Sequence, residues 1–432
     1  MDTASTGATT NMTERKILFL CAETYPPLYE FLDKVFNDCL SSLGYEAVWV
    51  MPETGSKTIE EKTWGNNKVV VFPKVRPESM GNLLSVYARH IQFIRQATNL
   101  ALNAYGPFWL LQVRDDPAVA FMACRIGSQS SLPWAYQLSH LKEEEFIMYG
   151  KMGFYGSRLK NMLQGAVGLV IRNMLLYRAP LIFPISVQMK RRLARYGVPE
   201  RAMVPVEEGV DCSVEPRQLD RPAERIRQEM GLGKRPVIIY VGTMSRFRRL
   251  EFLLKSFCYV VARNPDACLL MVGEGRTPDD TTWLKGQAAR LGLGAQVVFT
   301  GHVSREQVMG FIRAADVGVS PIPINFVYTN SSPIKVLEYL GLEVPVVGTK
   351  VPDQKRVIEE SRGGICTKWD ANEFGRAINT LIDLPPEGRR AMGRRGRAWV
   401  KKNRDFPLLA RKVSEAYKEL AGRWSKGPRL LV

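Results

Sequence analysis

A Ser-Ser-Pro-Ile-Lys run at residues 331–335 has the composition of a helix start with room for an anion. Ser332 followed by Pro333 reads as an N-cap and first-position pair, since a hydroxyl accepts an end amide and proline's fixed φ suits the first helical residue. The amides of Ile334 and Lys335 would then open a helix with its positive end outward, where a diphosphate binds well. Clusters at Lys190-Arg191-Arg192, Arg246-Phe247-Arg248-Arg249, Arg389-Arg390, Arg394-Arg395-Gly396-Arg397 and Lys401-Lys402 either attract anions or form solvated helix faces. Of 3 histidines, His140 follows an apolar run, Trp134–Leu138, and is placed either to meet a ligand or to bond a strand end. His90 falls inside a helical pattern, and His302 follows a later strand. Asp115-Asp116 and Asp279-Asp280 read as solvated neighbouring acids, because no clustered His or Cys accompanies them, and no metal is expected.

The elements that must hold these residues alternate between short apolar runs and helix-length amphipathic segments, the pattern of parallel sheets covered by helices. The fold class is α/β throughout. In the first half, strands are expected at Lys16–Cys21, Ala47–Met51, Val69–Phe72, Phe108–Val113 and Trp134–Leu138, with helices near Tyr29–Leu43, Met80–Ala104 and Pro117–Gly127. The segment Pro205 to Arg235 reads as an interdomain connection with a short helix. A second series follows, with strands at Val237–Val241, Cys268–Val272, Val297–Thr300, Val317–Ser320 and Pro345–Val347. Between the first two of these, Leu250, Leu253, Leu254 and Phe257 recur with the spacing of one buried helix face. Helical patterns at Glu387–Lys402 and Pro407–Arg423 end the chain.

The 432 residues suit two domains, and 45% hydrophobic with 24% charged residues is a globular mixture. We expect a flexible 1–14, a first domain at 15–212, a second at 213–403, and a terminal helix within 404–432 packing back on the first. Residues 1–14 lack the apolar core of a signal peptide, and the run Ile17 to Ala22 is only strand length, so secretion is not expected. Arg172 and Arg178 interrupt the most apolar stretch, Met162 to Ile185, which therefore suits a bilayer surface better than a span. The 7 cysteines (Cys21, Cys39, Cys124, Cys212, Cys258, Cys268 and Cys366) never fall at CxxC spacing and read as reduced thiols of a cytosolic protein. A net charge of +17 favours anionic partners, although no nucleic-acid-binding module accompanies it.

Five ordered blocks of the second half resemble the family 4 retaining glycosyltransferases of GT-B fold, the glycosyl transferases group 1. They are VIIYVGTMSRFRRL at Val237–Leu250, LLMVGEG at Leu269–Gly275, VVFTGHV at Val297–Val303, ADVGVSP at Ala315–Pro321 and SSPIKVLEYLGLEVPVV at Ser331–Val347. The resemblance implies two Rossmann-like doubly wound domains facing a cleft, with a nucleotide-diphosphate sugar bound by the second. It places Gly242, Thr243, Gly273, His302, Asn330, Ser331, Ser332, Pro333, Ile334 and Glu338 around that donor. Glu338 corresponds to the second of a pair of glutamates eight positions apart and would accept hydrogen bonds from the ribose hydroxyls. The first position of the pair holds Asn330, an amide without charge, and Thr243 stands where many members carry arginine. The first half matches more loosely: AETYPP at Ala22–Pro27 lacks the usual glycine pair. VRDDP at Val113–Pro117, PWAYQLSHL at Pro133–Leu141, Ile185-Ser186 and Glu208-Gly209-Val210-Asp211 fall at predicted strand ends or turns.

The resemblance further implies transfer with retention of anomeric configuration. No nucleophile stands beside a base, so a front-face displacement is expected in place of a covalent glycosyl-enzyme. Arg248 and Lys335 would oppose the charge of the leaving diphosphate, and His140 would sit beside the sugar. No metal or other cofactor is expected. The acceptor is expected to be a glycan or a lipid-linked molecule, in polysaccharide biosynthesis of the cell envelope, with the protein in the cytoplasm and peripheral on the inner face of the membrane. Ile147–Ile185, with Met148, Tyr149, Lys151, Phe154, Tyr155, Arg158, Lys160 and Met162, suits a surface lying on acidic lipid; an ordinary buried helix pair is the alternative. Two other functions stay open: a nucleotide-sugar epimerase of the same fold, and a degenerate, non-catalytic subunit suggested by Asn330 and Thr243.

Overall fold

The computed structural model describes residues 15–27, 29–75, 83–153 and 157–425. The expected flexible 1–14, the start of the helix expected from Met80, and Phe154 and Tyr155 lie outside the described residues.

The first half contains β1 (Arg15–Cys21), a π-helix at Leu32–Cys39 running into the single turn α1 (Leu40–Ser42), β2 (Tyr45–Glu53), β3 (Glu60–Trp64), β4 (Asn67–Pro73), α2 (Leu83–Tyr105), β5 (Leu110–Arg114) and α3 (Pro117–Ser130). It continues through β6 (Trp134–Leu138), α4 (Lys142–Met152), α5 (Arg158–Leu176), β7 (Leu181–Pro184) and α6 (Val187–Arg195). Seven strands form one sheet in the order β3-β4-β2-β1-β5-β6-β7, parallel except for the edge strand β3. β3 and β7 were not anticipated. Charged residues make β3 a poor strand pattern, and it exists because it pairs with β4 at a tight turn.

The second half contains α7 (Asp220–Glu229), β8 (Val237–Val241), α8 (Glu251–Val261), β9 (Cys268–Val272), α9 (Pro278–Arg290), β10 (Val297–Gly301), α10 (Arg305–Arg313) and β11 (Val317–Ser320). Then follow α11 (Ile334–Gly341), β12 (Val346–Thr349), α12 (Pro352–Ser361), β13 (Gly364–Thr367), α13 (Ala371–Ile382), α14 (Pro386–Asn403) and α15 (Phe406–Trp424). The six strands run β10-β9-β8-β11-β12-β13, all parallel. β8, Val-Ile-Ile-Tyr-Val, is buried along its whole length, as a strand covered by helices on both faces must be. Two apolar cores flank each sheet.

The two halves are tied by the chain's return. Val210 and Asp405 form a parallel bridge, with the Val210 amide donating to the Arg404 carbonyl at 3.0 Å. α15 then inserts Phe406, Leu409, Val413, Tyr417 and Leu420 into a core of the first half. Its Tyr417 hydroxyl donates to Gln112 of β5, and Ser414 lies 2.8 Å from the Tyr45 hydroxyl. Among the described residues no helix is long and apolar enough to cross a membrane.

Candidate active site

In a doubly wound sheet, ligands bind beyond the strand carboxyl ends where the strand order reverses. In the second sheet that point lies between β8 and β11. β8, β9 and β10 close on Gly242, Gly273 and Gly301, with φ of 146°, 127° and 76°. The loops are laced together: the Gly242 amide donates to the Val272 carbonyl at 2.9 Å and the Gly273 amide to the Gly301 carbonyl at 3.1 Å. A Cβ on Gly273 would lie 2.4 Å from the Gly242 oxygen, so the close approach requires glycine. Thr243 is exposed on this rim, and its carbonyl accepts the Tyr240 hydroxyl at 3.0 Å. His302 is exposed too, its amide donating to Glu274 Oε1 at 2.9 Å.

The helix beside this rim starts one residue later than expected. Pro333, and not Ser332, occupies the N-cap position of α11 and makes no side-chain cap. The Ser332 hydroxyl is committed elsewhere: it donates to Asp353 Oδ2 at 2.6 Å and accepts the Glu208 amide at 3.1 Å. A buried carboxylate outcompetes an end amide for that hydroxyl, because a charge-assisted hydrogen bond is the stronger one. The correction leaves the first amides of α11, at Ile334 and Lys335, without a side-chain cap. α11 is seated by Tyr339, whose hydroxyl accepts the Val241 amide at 2.9 Å while its ring covers Gly318 of β11. One turn in, Lys335 Nζ meets Glu338 Oε2 at 2.6 Å. Just upstream, the Ser331 hydroxyl donates to the Tyr328 carbonyl at 2.7 Å, and the Asn330 amide donates to the Phe326 carbonyl at 2.6 Å. The Asn330 carbonyl in turn accepts Ser186 Oγ, from the first half, at 2.6 Å.

α4 crosses from the first half to close the other side. Tyr149 meets Phe247 edge to face at 5.4 Å, within an apolar cluster that includes Met148, Ile322 and Tyr328. Arg248, on the short 3₁₀ turn Arg246–Arg248, lies over the Tyr328 ring at 5.3 Å. Burial opposes its charge, but Tyr328, Tyr240, Glu145 and Tyr149 together hold its pKa above the usual arginine value. His140 Nε2 lies 2.8 Å from Glu145 Oε2, and the Tyr149 hydroxyl donates to the other Glu145 oxygen. Arg276 reaches the same hydroxyl at 3.5 Å. Burial works against the Glu145 charge, yet the hydrogen bond and charge of His140, with the Tyr149 hydroxyl, keep its pKa below the ordinary carboxylate value. His140 is thereby oriented by a carboxylate and brought to the same region as Arg248.

Glu145, Arg276 and Tyr328 were not singled out from sequence, and Met148 and Tyr149, expected on a lipid-facing surface, are instead buried in the cluster with Phe247 because α4 turns this face toward the second half. One local signal existed: Arg276 follows the Gly273-Glu274-Gly275 turn directly. The two acidic pairs, expected to be solvated, are largely built into the fold: Asp115 and Asp280 are buried, Asp116 is half-buried and Asp279 is exposed. Asp116 caps α3, accepting the Ala118 amide at 2.9 Å, and Asp280 takes part in the capping box of α9 with Thr277.

On the first sheet the corresponding reversal lies between β1 and β5, whose last residues Cys21 and Arg114 are register partners. Arg114 is buried, 4.7 Å over the Tyr29 ring and 3.5 Å from Asp115. The Tyr29 hydroxyl donates to Glu208, whose carboxyl burial pushes up to about 8.

Two facing Rossmann-like domains, with glycine-closed strand ends and an uncapped helix start on the second, define the GT-B class of fold. Residues 235–383, about a third of the chain, match the model of the glycosyl transferases group 1. The chain is 26% identical over 248 residues to a GDP-mannose-dependent alpha-(1-6)-phosphatidylinositol monomannoside mannosyltransferase of Mycolicibacterium smegmatis, covering 57% of this chain and 63% of that protein. It is likewise 26% identical over 201 residues to the alpha-D-kanosaminyltransferase of Streptomyces kanamyceticus, covering 46% and 49%. The matches thus span between about half and just under two thirds of those relatives' lengths. In structure, Anabaena HepE in complex with UDP superposes with a TM-score of 0.66 at 18% identity, covering 94% of this chain and all of that one. Sucrose-phosphate synthase of Thermosynechococcus elongatus superposes with a TM-score of 0.69 at 17% identity, covering 95% and 100%.

Proposed function

We propose that the protein is a glycosyltransferase moving a sugar from a nucleotide-diphosphate donor to a lipid-linked or polysaccharide acceptor with retention of configuration. The observation that carries this reading is the uncapped start of α11 beside the Lys335–Glu338 pair, next to the glycine-closed loops at Gly242, Gly273 and Gly301. Free amides and an ammonium suit a diphosphate, and a carboxylate one turn further along suits the ribose diol. Support for the donor class comes from HepE, crystallised with UDP and with UDP-glucose, and from the GDP-mannose dependence in the name of the mycobacterial relative. Support for an acceptor built on a lipid comes from the phosphatidylinositol monomannoside in that same name.

In the proposed reaction an acceptor hydroxyl oxygen bonds to the anomeric carbon on the face from which the diphosphate leaves. The bond from that carbon to the phosphate oxygen breaks, its electron pair stays on the phosphate, and the acceptor proton passes to a phosphate oxygen. Arg248, Lys335 and the α11 amides stabilise the negative charge that develops there. His140, held by Glu145, hydrogen-bonds the sugar. No metal is required in this scheme, and the work is placed at the cytoplasmic face of a membrane.

The test is a thermal-shift comparison of UDP, GDP, ADP, dTDP and CMP with wild type and Glu338→Ala. A ligand at ~100 times its dissociation constant stabilises by roughly 2.7 kcal/mol. One selective shift, lost in the variant, identifies the donor base; an NMR assignment of the product anomer then tests retention. Nucleotide stabilisation without turnover on any acceptor would favour the non-catalytic subunit, and shifts from none of the five would sink the donor assignment.

A further inference from the structure

α5 packs with its small and polar residues inward and its large apolar residues outward. A Cβ on Gly165 would lie 2.6 Å from the Glu143 oxygen, and one on Gly150 of α4 would lie 2.6 Å from Met162 Cγ, so the two helices meet backbone to backbone. Between them Arg172, fully buried, pairs with Glu143 at 3.4 Å and Glu144 at 3.6 Å. This polar seam leaves Leu159, Leu163, Val167, Val170 and Met174 exposed by 78%, 64%, 50%, 61% and 53%. Their spacing of three or four residues places them on one stripe. Phe121, on the adjacent α3, is 56% exposed and adds to the apolar surface.

The charge around the stripe has one sign. α2, α3 and α5 contain no aspartate or glutamate, and Arg125, Lys151, Arg158 and Arg178 are exposed. Glu143 and Glu144 of α4 are buried in the seam. An apolar stripe with a cationic surround, on helices that carry no exposed carboxylate among the described residues, is the composition that lies on acidic lipid. A second copy fits it worse, because a twofold contact would set the same cationic surround against itself.

We infer that the outer face of α5, with Phe121, docks this protein on an anionic lipid bilayer. α4 lies between that face and the cleft: it packs on α5 and presents Glu145 and Tyr149 to Arg248 and Arg276. A lipid-linked acceptor on the bilayer would then be held one helix away from the donor. That consequence rests on the glycosyltransferase reading, whereas the docking face does not.

The experiment is flotation of the full chain with phosphatidylcholine vesicles, with and without phosphatidylglycerol, at low and high salt. Binding should need the anionic lipid, weaken in salt, and fall roughly tenfold or more in the double variant Leu163→Gln, Val170→Gln. The charge variant Arg158→Glu, Arg178→Glu should weaken it as well, which guards against misfolding of the first. Both variants should keep wild-type thermal stabilisation by UDP or GDP, so loss of lipid binding is read separately from failure of the donor assignment. Absence of wild-type binding at low salt, or equal binding by both variants, overturns the proposal. A dimer in sedimentation analysis that the Leu163→Gln, Val170→Gln variant abolishes overturns it in favour of a second copy.

Discussion

Lys335 Nζ and Glu338 Oε2 stand 2.6 Å apart across one turn of α11, both half-buried at the edge of the cleft. The pair neutralises itself, so a nucleotide that engages both must draw the ammonium toward its diphosphate and the carboxylate toward its ribose. Glu338 also contributes to the negative surroundings of Glu208.

Glu338→Ala should therefore weaken nucleoside diphosphate binding by roughly 10- to 100-fold, the range for a hydrogen bond to a charged group. Glu338→Gln should retain part of the affinity, because an amide oxygen still accepts one hydroxyl. Calorimetric titration checks the order wild type, Gln, Ala. Equal affinities would remove Glu338 from the ribose site.

Arg248 stacks over Tyr328 and has no carboxylate within salt-bridge distance among the described residues. A cation held by rings keeps its charge available for a phosphate oxygen. Arg248→Ala should lower kcat and kcat/KM together by roughly 10²–10³-fold. Arg248→Lys should recover little, since an ammonium cannot reproduce the planar stack. A rise in KM with kcat unchanged would make Arg248 a ground-state contact only.

The second half was the more legible because its signals are local. Strand ends closing on Gly242 and Gly273, and a Lys335–Glu338 pair on one helix face, depend on residues within a few positions of each other. What sequence could not disclose was joined over long distances. The Ser332 hydroxyl leaves its helix for Asp353, and Arg404 joins the same cluster at 2.7 Å from Asp353. Glu145 and Tyr149 enter the cleft from the opposite half, so no spacing rule links them to Arg248. The composition of Ile147–Ile185 suggested either a surface on lipid or a buried helix pair and could not say which side chains of α5 face outward. Only the glycine seam against α4 decides that. β13, Gly-Ile-Cys-Thr, is too short to announce itself and exists through its pairing with β12.

Gly273 allows a direct test of the laced loops. With φ at 127° and the Gly242 oxygen 2.4 Å from a built Cβ, Gly273→Ala must shift the backbone of the loops beside the start of α11. It should destabilise by about 1–3 kcal/mol and abolish nucleotide-induced stabilisation. Gly301→Ala should be milder, since φ is 76° and the nearest atom, Glu274 Oε1, is 3.5 Å away. Thermal unfolding of both variants, with and without UDP or GDP, checks the ranking. Equal losses would mean that the contact between the first two loops is not what positions the site.

Glu208 should impose a pH dependence on stability. Burial raises its carboxyl from 4.5 to about 8, opposed by Arg404 and reinforced by Asp353 and Glu338. The folded chain therefore binds this proton more tightly than the unfolded chain. The resulting stability is fully present below about pH 4.5 and declines as pH rises toward about 8, by about 1.4 kcal/mol per unit at most, then levels off. Neighbouring Glu207 is shifted the other way: burial opposes its charge, but Arg404, Lys412 and Arg356 hold its pKa low. Its contribution is thus constant across the same window. Glu208→Gln keeps a neutral acceptor for the Tyr29 hydroxyl and removes the titration. Urea unfolding across this window should show wild type losing stability relative to Glu208→Gln as pH rises, with the two profiles parallel above about pH 8. Profiles parallel throughout would mean that Glu208 is already ionised in the fold and that Arg404 outweighs its burial.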